Sequence, residues 1–308
     1  MSSIANIIEQ RMGYTNLLNE LDEKLSASEL NSLLLELYRR KASRITPTEL
    51  LKQFEKNKYA APFPLPAIAF KEYELQCLHF MEARHFRVVT LSPLTCLGTC
   101  SAVAYVDQNN VVSAARGTEV VSDATNVFAL LVAQEYKRQK TTAVIKYAST
   151  HRHVRSQVFN MPGFSPHFAI LCMATGGMDT GSYAFELEHL WEHINIHLSL
   201  LLKALPADKL LLKCFLKNDN EAFAGKLQML LASLHQSVKV IIERQVNAGD
   251  YYQLVQFKFY LEHKQQEMNI SDGGFVNWTQ QLIPNKKHRF LISAIGTELL
   301  YKIRNGYI

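Results

Sequence analysis

From Gly249 to Leu300 the chain carries an ordered series that few folds accommodate. The tyrosine pair of Gly249-Asp250-Tyr251-Tyr252 precedes a long strand pattern over 252–262, with outward polar residues in alternation. Asp272-Gly273-Gly274-Phe275 follows, a glycine pair read here as opening a helix. An apolar run then closes on Ala294-Ile295-Gly296-Thr297-Glu298-Leu299-Leu300, a buried strand meeting a glycine and a helix. Period-two alternation leaves one strand face polar, which is how strands of a mainly antiparallel sheet read.

Upstream, residues 1–60 read as a helical arm. Leu30, Leu33, Leu34 and Leu37 recur at helical spacing, with Ser26 or Ser28 as caps and Arg39, Arg40 and Lys41 at the C-terminal end. A second helix is expected from Thr46-Pro47-Thr48, since proline suits a first turn. Pro62, Pro64 and Pro66 break the chain and place the boundary to a core over 61–308. Within that core the pattern gives a helix over 67–82, a strand over 86–91, and a hairpin of 103–106 with 111–115 turning at Asn109-Asn110. Ser122 or Asp123 caps a helix reaching 139. Strands are expected over 143–148, 154–159 and 168–174, with the turn Pro162-Gly163-Phe164-Ser165-Pro166 before the last. Helices are expected over 185–204 and 220–245, a helical insertion at 185–246. The class is α+β, with helices flanking a mainly antiparallel sheet.

Composition narrows the function. With 308 residues, 48% apolar and 20% charged, the chain reads as globular. Its apolar runs fall short of the ~20 residues that span a bilayer, and no signal peptide is evident. Five scattered cysteines argue for a reducing compartment, so a cytoplasmic location is expected. A net charge of +5 admits an anionic ligand without amounting to a nucleic-acid signature.

Several segments, in order, resemble the motifs of a class II aminoacyl-tRNA synthetase core, most closely the histidyl type. The stretch His151–Met173 resembles the second motif: Arg155 stands at the arginine that grips the α-phosphate and substrate carboxylate, and Phe168 at the phenylalanine that stacks on adenine. Chemically both suit: a guanidinium fork matches an oxyanion, and an aromatic face on a strand supports a purine. Gln157 takes the usual acidic position, and the loop Asn160–Pro166 lacks charged residues. Ala115-Arg116-Gly117 through Asp123-Ala124-Thr125 resembles the R-P-E-G-T segment, with Asp123 for the glutamate and Thr125 kept; Glu119 offers a second register. A carboxylate at a helix start can hold an ammonium group or serve as a cap. Asp250-Tyr251-Tyr252 resembles the tail of R-G-L-D-Y-Y, and Asp272–Asn277 the segment G-G-G-R-Y-D.

The departures concern chemistry rather than scaffold. Asn247 and Leu299 stand where the family has arginines, and the glycine-rich segment has Phe275 in place of another. Adenylate formation needs positive charge on the α-phosphate, and losing one such group typically costs on the order of a hundredfold in rate. Arg116, Arg152 and Arg289 are candidate substitutes. The resemblance implies ATP and magnesium as cofactors, with Arg155, Phe168, Arg116 and Glu298 on the nucleotide. It implies Asp123, Thr125, Glu119, Asp250, Tyr251, Tyr252, Gly273 and Gly274 around the amino-acid substrate, Arg155 as catalytic group, and a homodimer. The plan after the third motif also resembles the regulatory subunit of ATP phosphoribosyltransferase, and tRNA is not expected as a partner. Three readings stand: a paralogue binding an amino acid or adenine nucleotide in a regulatory or divergent role, an active ligase adenylating a small acid, and an interaction protein with a dead pocket.

Two further clusters compete. Glu186, His189, His193 and His197 fall on one helix face, where two imidazoles could clamp zinc with Glu192 as base, or form a half-buried polar stripe. The pattern is not H-E-x-x-H, and the stripe is favoured, so no metal is expected. Cys96 and Cys100 lack the C-x-x-C spacing of redox or zinc motifs.

Overall fold

The structure, a computed structural model, describes residues 4–156, 165–234, 238–245, 251–263 and 266–308. Gln157, Asn247, Gly249, Asp250, half of the expected strand over 154–159 and most of the loop over 160–166 lie outside the described residues.

The amino-terminal segment forms α1 (Ile4–Met12), α2 (Leu17–Lys24), α3 (Ala27–Ala42) and α4 (Pro47–Lys56). Ser26 and Thr46 each complete a capping box with Glu29 and Glu49, and Pro47 sits in a first turn where its missing N–H costs nothing. None of these four helices buries a residue, so local capping rather than core packing specifies them.

The core begins with α5 (Ala67–Glu82) and β1 (Arg87–Val88), followed by β2 (Leu94–Cys96), α6 (Thr99–Ala104), β3 (Ser113–Ala114) and β4 (Thr118–Val120). The expected hairpin is corrected here. Residues 99–104 are helical, Gln108–Asn110 make a 3-10 turn, and the strands that pair are β3 and β4. Their turn lies at Arg116-Gly117, both in left-handed backbone with φ of 68° and 64°, a region glycine enters without a Cβ penalty. Next come α7 (Ala124–Gln139), β5 (Ile145–Val154), β6 (His167–Met178) and α8 (Ala184–Leu201). β5 takes in residues 145–148 of the strand expected over 143–148 and runs on to Val154, and Arg155 and Ser156 are outside any strand.

The insertion carries helices α8 and α9 (Glu221–Leu231), and in addition two strands, β7 (Leu210–Leu216) and β8 (Lys239–Arg244). It is therefore partly woven into the sheet. The chain closes with β9 (Val255–His263), β10 (Gln266–Val276), α10 (Trp278–Leu282), β11 (His288–Ile295) and α11 (Thr297–Arg304). Gly273 and Gly274 lie inside β10 instead of opening a helix.

The described strands form one eight-stranded sheet in the order β1-β5-β6-β11-β10-β9-β7-β8, with β2-β4-β3 apart from it. Only the outermost pairs, β1 with β5 and β7 with β8, are parallel. Alternation sorts side chains onto two faces. Leu171, Met173, Phe257, Phe259 and Leu291 pack under α5, α8, α9 and α11, whereas Cys172, Ala174, Phe290 and Ile292 pack under α7 and α10.

Against the first face α8 lays two buried histidines. His193 Nε2 lies 2.9 Å from Thr175 Oγ1 and its Nδ1 2.8 Å from Ser293 Oγ. His197 Nδ1 lies 2.9 Å from Ser271 Oγ and its Nε2 2.9 Å from that same Ser293 hydroxyl. Hydroxyls donate or accept, so neutral rings are satisfied at both nitrogens. Glu186 is held by Arg289 at 2.7 Å and Glu192 by Lys146 at 2.6 Å. The ladder is a buried polar stripe, with both nitrogens of His193 and His197 paired and Glu186 Oε2 without a partner among the described residues.

Two expectations follow from this packing. Burial pushes His197 down to about 3 and His193 well below its ordinary value, so both stay neutral when folded while the unfolded chain protonates below about pH 6.5. Their contribution is intact above that pH and is lost as pH falls from about 6.5 toward 3, by up to ~1.4 kcal/mol per pH unit per histidine. Urea unfolding at pH 7 and pH 5 should show this decline, and His197→Asn should make it shallower. A Cβ on Gly273 would lie 2.3 Å from Ser293 Cβ and 2.7 Å from the Ile292 carbonyl oxygen. Gly273→Ala should therefore cost ~1–3 kcal/mol, read from the urea midpoint. In α9, where a Cβ on Gly225 meets nothing, Gly225→Ala should gain ~0.5–1 kcal/mol.

Candidate ligand-binding site

The site is assembled at the N-terminus of α7. Asp123 caps the helix, its Oδ1 accepting from Thr125 N–H at 2.9 Å and from Thr125 Oγ1 at 2.7 Å. The next amide, Ala124 N–H, donates to Nε2 of the buried His153 on β5 at 3.0 Å. That bond fixes the imidazole with its proton on Nδ1, which is buried and without a partner among the described residues. Burial keeps this ring neutral, pushed down to about 3. His153 thus pins the start of α7 to the sheet and sets where Asp123 stands.

Just past β5, Arg155 reaches over the same point. Its Nε donates to the Ser122 carbonyl at 3.2 Å, an amino group lies 3.7 Å from Asp123 Oδ2, and its guanidinium sits 5.3 Å above the Phe168 ring. Two cavities meet here, both lined by Asp123, Arg155, Asp272 and Ala294. The first, about 450 Å³, adds Thr125, Asn126, Lys217, Tyr251, Tyr252 and Gln256. The second, about 350 Å³, adds His153, Phe168, Cys172, Glu298, Leu299 and Lys302.

Sheet register explains the shared floor. Cys172, Ala294, Asp272 and Lys258 are successive cross-strand partners on β6, β11, β10 and β9, so they form one row on one face. Asp272 is half-buried, and among the described residues its carboxylate takes one long contact, 3.5 Å, from the Tyr252 hydroxyl. Burial pushes its carboxyl up, and Lys258 partly offsets this. Burial, followed by the nearby Asp123 and Asp272 charges, pushes the Tyr251 phenol far up; for Tyr252 burial leads and Asp272 is the next cause. Both tyrosines stay neutral, hydrogen-bonding groups. Gly274 lets Tyr252 lie close, since a Cβ there would meet its ring at 2.6 Å.

The structure gathers Asp123, Thr125, Tyr251 and Tyr252 around the first cavity, Phe168 and Glu298 around the second, and Arg155 at both. Four of the expected residues do not line either cavity. Arg116 is in the β3–β4 turn. Glu119 is buried and caps α6, accepting from the Gly98 and Cys100 amides at 2.8 and 2.9 Å and from Gln108 at 2.9 Å. Gly273 and Gly274 act through the room they leave. Asp250 lies outside the described residues. Arg289 is committed to Asp179 and Glu186, at 2.6 and 2.7 Å.

Sequence reasoning passed over Asn126, Lys217, His153 and Cys172, and took Asp272 only as part of a glycine segment. A carboxylate where the resemblance has glycine was the one available signal. Ligand atoms of Asp123, His153 and Cys172 lie within 4.8 Å of one another. The donor set suits a metal poorly, because the His153 Nε2 lone pair accepts Ala124 N–H and Arg155 adjoins Asp123.

At the second cavity Glu298 holds Lys302, which lines it, and Arg152, which does not. Glu298 accepts from Lys302 Nζ at 2.7 Å, from the Ala169 amide at 3.2 Å and from Arg152 at 3.5 Å. Arg152 also lies 4.2 Å from the Phe63 ring centroid and 3.0 Å from His167 Nδ1, whose other nitrogen meets the Ala61 carbonyl at 2.8 Å.

Solved structures share this architecture. An ATP phosphoribosyltransferase regulatory subunit/histidyl-tRNA synthetase from Bacillus halodurans aligns with a TM-score of 0.61 at 14% identity, over 80% of this chain and 82% of its own. The S. aureus histidyl-tRNA synthetase aligns at 0.58 and 13% identity, over 80% and 69%. A histidine–tRNA ligase subunit from Alicyclobacillus acidocaldarius aligns at 0.57 and 8% identity, over 80% and 96%. No family model and no curated protein matches the chain. The fold is the class II synthetase-like α+β core. Within that class, the similar structures include histidyl-type synthetases, the regulatory subunit and, at a TM-score of 0.58 and 12% identity, a putative threonyl-tRNA synthetase from Aeropyrum pernix.

The Glu298–Lys302 pair is buried, with side chains 5% and 8% exposed. Removing one partner of such a pair strands the other, so Glu298→Ala should cost ~3–5 kcal/mol. Urea unfolding checks it, and Glu298→Gln, which can still accept, should lose less.

Proposed function

We propose that the protein is a class II synthetase-like paralogue that binds a free amino acid in the first cavity, in a regulatory role. One observation carries the reading: a carboxylate and a guanidinium, Asp123 and Arg155, stand 3.7 Å apart on the wall of a cavity of about 450 Å³. An amino acid presents the complementary pair, an ammonium for Asp123 and a carboxylate for Arg155. At 3.7 Å the protein pair is longer than a charge-assisted hydrogen bond, so a ligand can replace one loose contact with two close ones. Thr125 orients Asp123, and Tyr251 and Tyr252 wall the cavity.

The regulatory side of the reading draws on the Bacillus halodurans neighbour, described as a regulatory subunit/histidyl-tRNA synthetase. By the same likeness we infer a homodimer or a partner subunit. No helix among the described residues is long and apolar enough to cross a membrane.

Active ligation is the second reading, favoured by Arg155 and Asp272 lining both cavities, where an acyl and a phosphoryl group would meet. Phe168 offers an aromatic face to adenine. Against turnover, Leu299 replaces the family arginine, and Lys302 and Arg152 are held by Glu298. Magnesium fits poorly, since Glu298 already accepts from both cations and an amide.

Calorimetry of the full chain with a panel of amino acids, with and without ATP and magnesium, tests the reading. We expect an amino acid to bind without ATP. Asp123→Asn and Arg155→Ala should each weaken it by roughly tenfold or more, as loss of a charged hydrogen bond does. Amino-acid-dependent pyrophosphate exchange should be absent. Exchange activity would replace the regulatory reading with ligation, and heat from no amino acid would end the binding reading.

A further inference from the structure

The two carboxylates of the first cavity differ in how well the protein satisfies them. Asp123 caps α7, accepts twice from Thr125 and faces Arg155. Asp272 forms no ion pair among the described residues, and its one hydrogen bond, from Tyr252, is long at 3.5 Å. Lys258 stands opposite it across the β9–β10 ladder but lines neither cavity, its ammonium lying 5.7 Å from the Phe215 ring centroid. The cavity holds a second unsatisfied group. Asn126, 1% exposed on the first turn of α7, has its Nδ2 buried and without a partner among the described residues. A donor and an acceptor-only group, both desolvated and both incompletely paired, wait on a ligand that supplies one of each.

Resting on the amino-acid reading above, we propose that Asp272 reads the ligand's side chain, and that the ligand is a basic amino acid carrying an ammonium or guanidinium at that end. The α-ammonium meets Asp123, the α-carboxylate meets Arg155 and Asn126, and the side-chain cation meets Asp272. Tyr251 and Tyr252 add aromatic surface that suits a desolvated cation. A neutral side chain of the same length fills the same space and leaves Asp272 buried without a cation. Rejection of an analogue that strands a polar group is stronger than rejection on shape alone. In the synthetase resemblance this position is a glycine, so the family's own substrate contacts do not supply the selection.

The test is calorimetry of the full chain with L-lysine, L-ornithine and L-arginine against L-norleucine, L-glutamine and L-glutamate. The same series is run on Asp272→Asn and on Asp272→Ser, with melting temperatures as a fold check. We expect at least one basic amino acid to bind roughly tenfold or more tighter than norleucine, the size expected of a charged hydrogen bond. Both variants should bring that ratio to within about twofold by removing the charged contact, leaving norleucine binding no weaker. Equal or tighter binding of norleucine by the wild type overturns the proposal and leaves the amino-acid reading standing. So does a preference for basic ligands that survives in either folded variant. Heat from none of the six, with none from any other amino acid, removes both.

Discussion

The strand register of the central sheet is the constraint on which the site depends. From Ile145 opposite Gly176 to Val154 opposite His167, β5 and β6 pair without interruption. β11 and β10 extend the same rows to Asp272. Because side chains alternate, this register sends Cys172, Ala294 and Asp272 to one face, and Met173, Ser293 and Gly273 to the other. A slip of one residue would exchange those sets, burying Asp272 under α8 and turning Ser293 away from His193 and His197. The buried hydroxyl–imidazole network therefore does more than fill space. Ser293 is shared by both rings, and partners for the buried ring nitrogens exist in this alignment.

What could be read from the sequence follows the range of the forces involved. Ser26, Thr46-Pro47 and Asp123 act within a single helical turn, and the chain alone offers them, with Ser28 and Ser122 as alternatives to two of them. Arg155 and Phe168 were legible because an ordered set of motifs placed them, and they converge at one point. Glu119 shows the limit of local reading. A carboxylate near a helix start suits an ammonium ligand and a cap equally, and the structure gives it three donors of its own at α6. Gly273-Gly274 suggested a helix start because glycine is common at element ends. Here each is needed inside a strand, one beneath Ser293 and Phe257 and the other beneath Tyr252. Lys217 was out of reach, since it enters the cavity only because β7 joins the sheet beside β9. An apolar run such as Leu210–Leu216 does not declare that placement by its period.

Charges around the two cavities divide by commitment. In the second, Glu298 gathers Lys302, Arg152 and the Ala169 amide, and Phe63 lies against both cations. Each of those contacts stabilises the protein and removes a cation from any phosphate that enters. Leu299 extends the effect, because an apolar side chain now stands where the resemblance calls for a guanidinium. In the first cavity the balance reverses. Asp272 and Asn126 remain underpaired, and Asp123 and Arg155 are held at a separation that a ligand can improve upon. Desolvated groups with no internal partner cost stability, and the structure concentrates that cost where a small zwitterion fits.

The chain behind Glu298 also joins the amino-terminal arm to the core. His167 meets the Ala61 carbonyl, and Phe63 packs on Phe70 at 5.2 Å, which in turn contacts Tyr301 of α11 at 5.3 Å. The arm's four helices contain no buried residue, and one tie to the core is Asn31 accepting from Gly117 at 3.2 Å, in the β3–β4 turn. Two attachments of such different kind give the arm unequal hold. The linker is held by aromatic packing and by the cations on Phe63, while the helices beyond it carry their own capping boxes and the Asn31 contact.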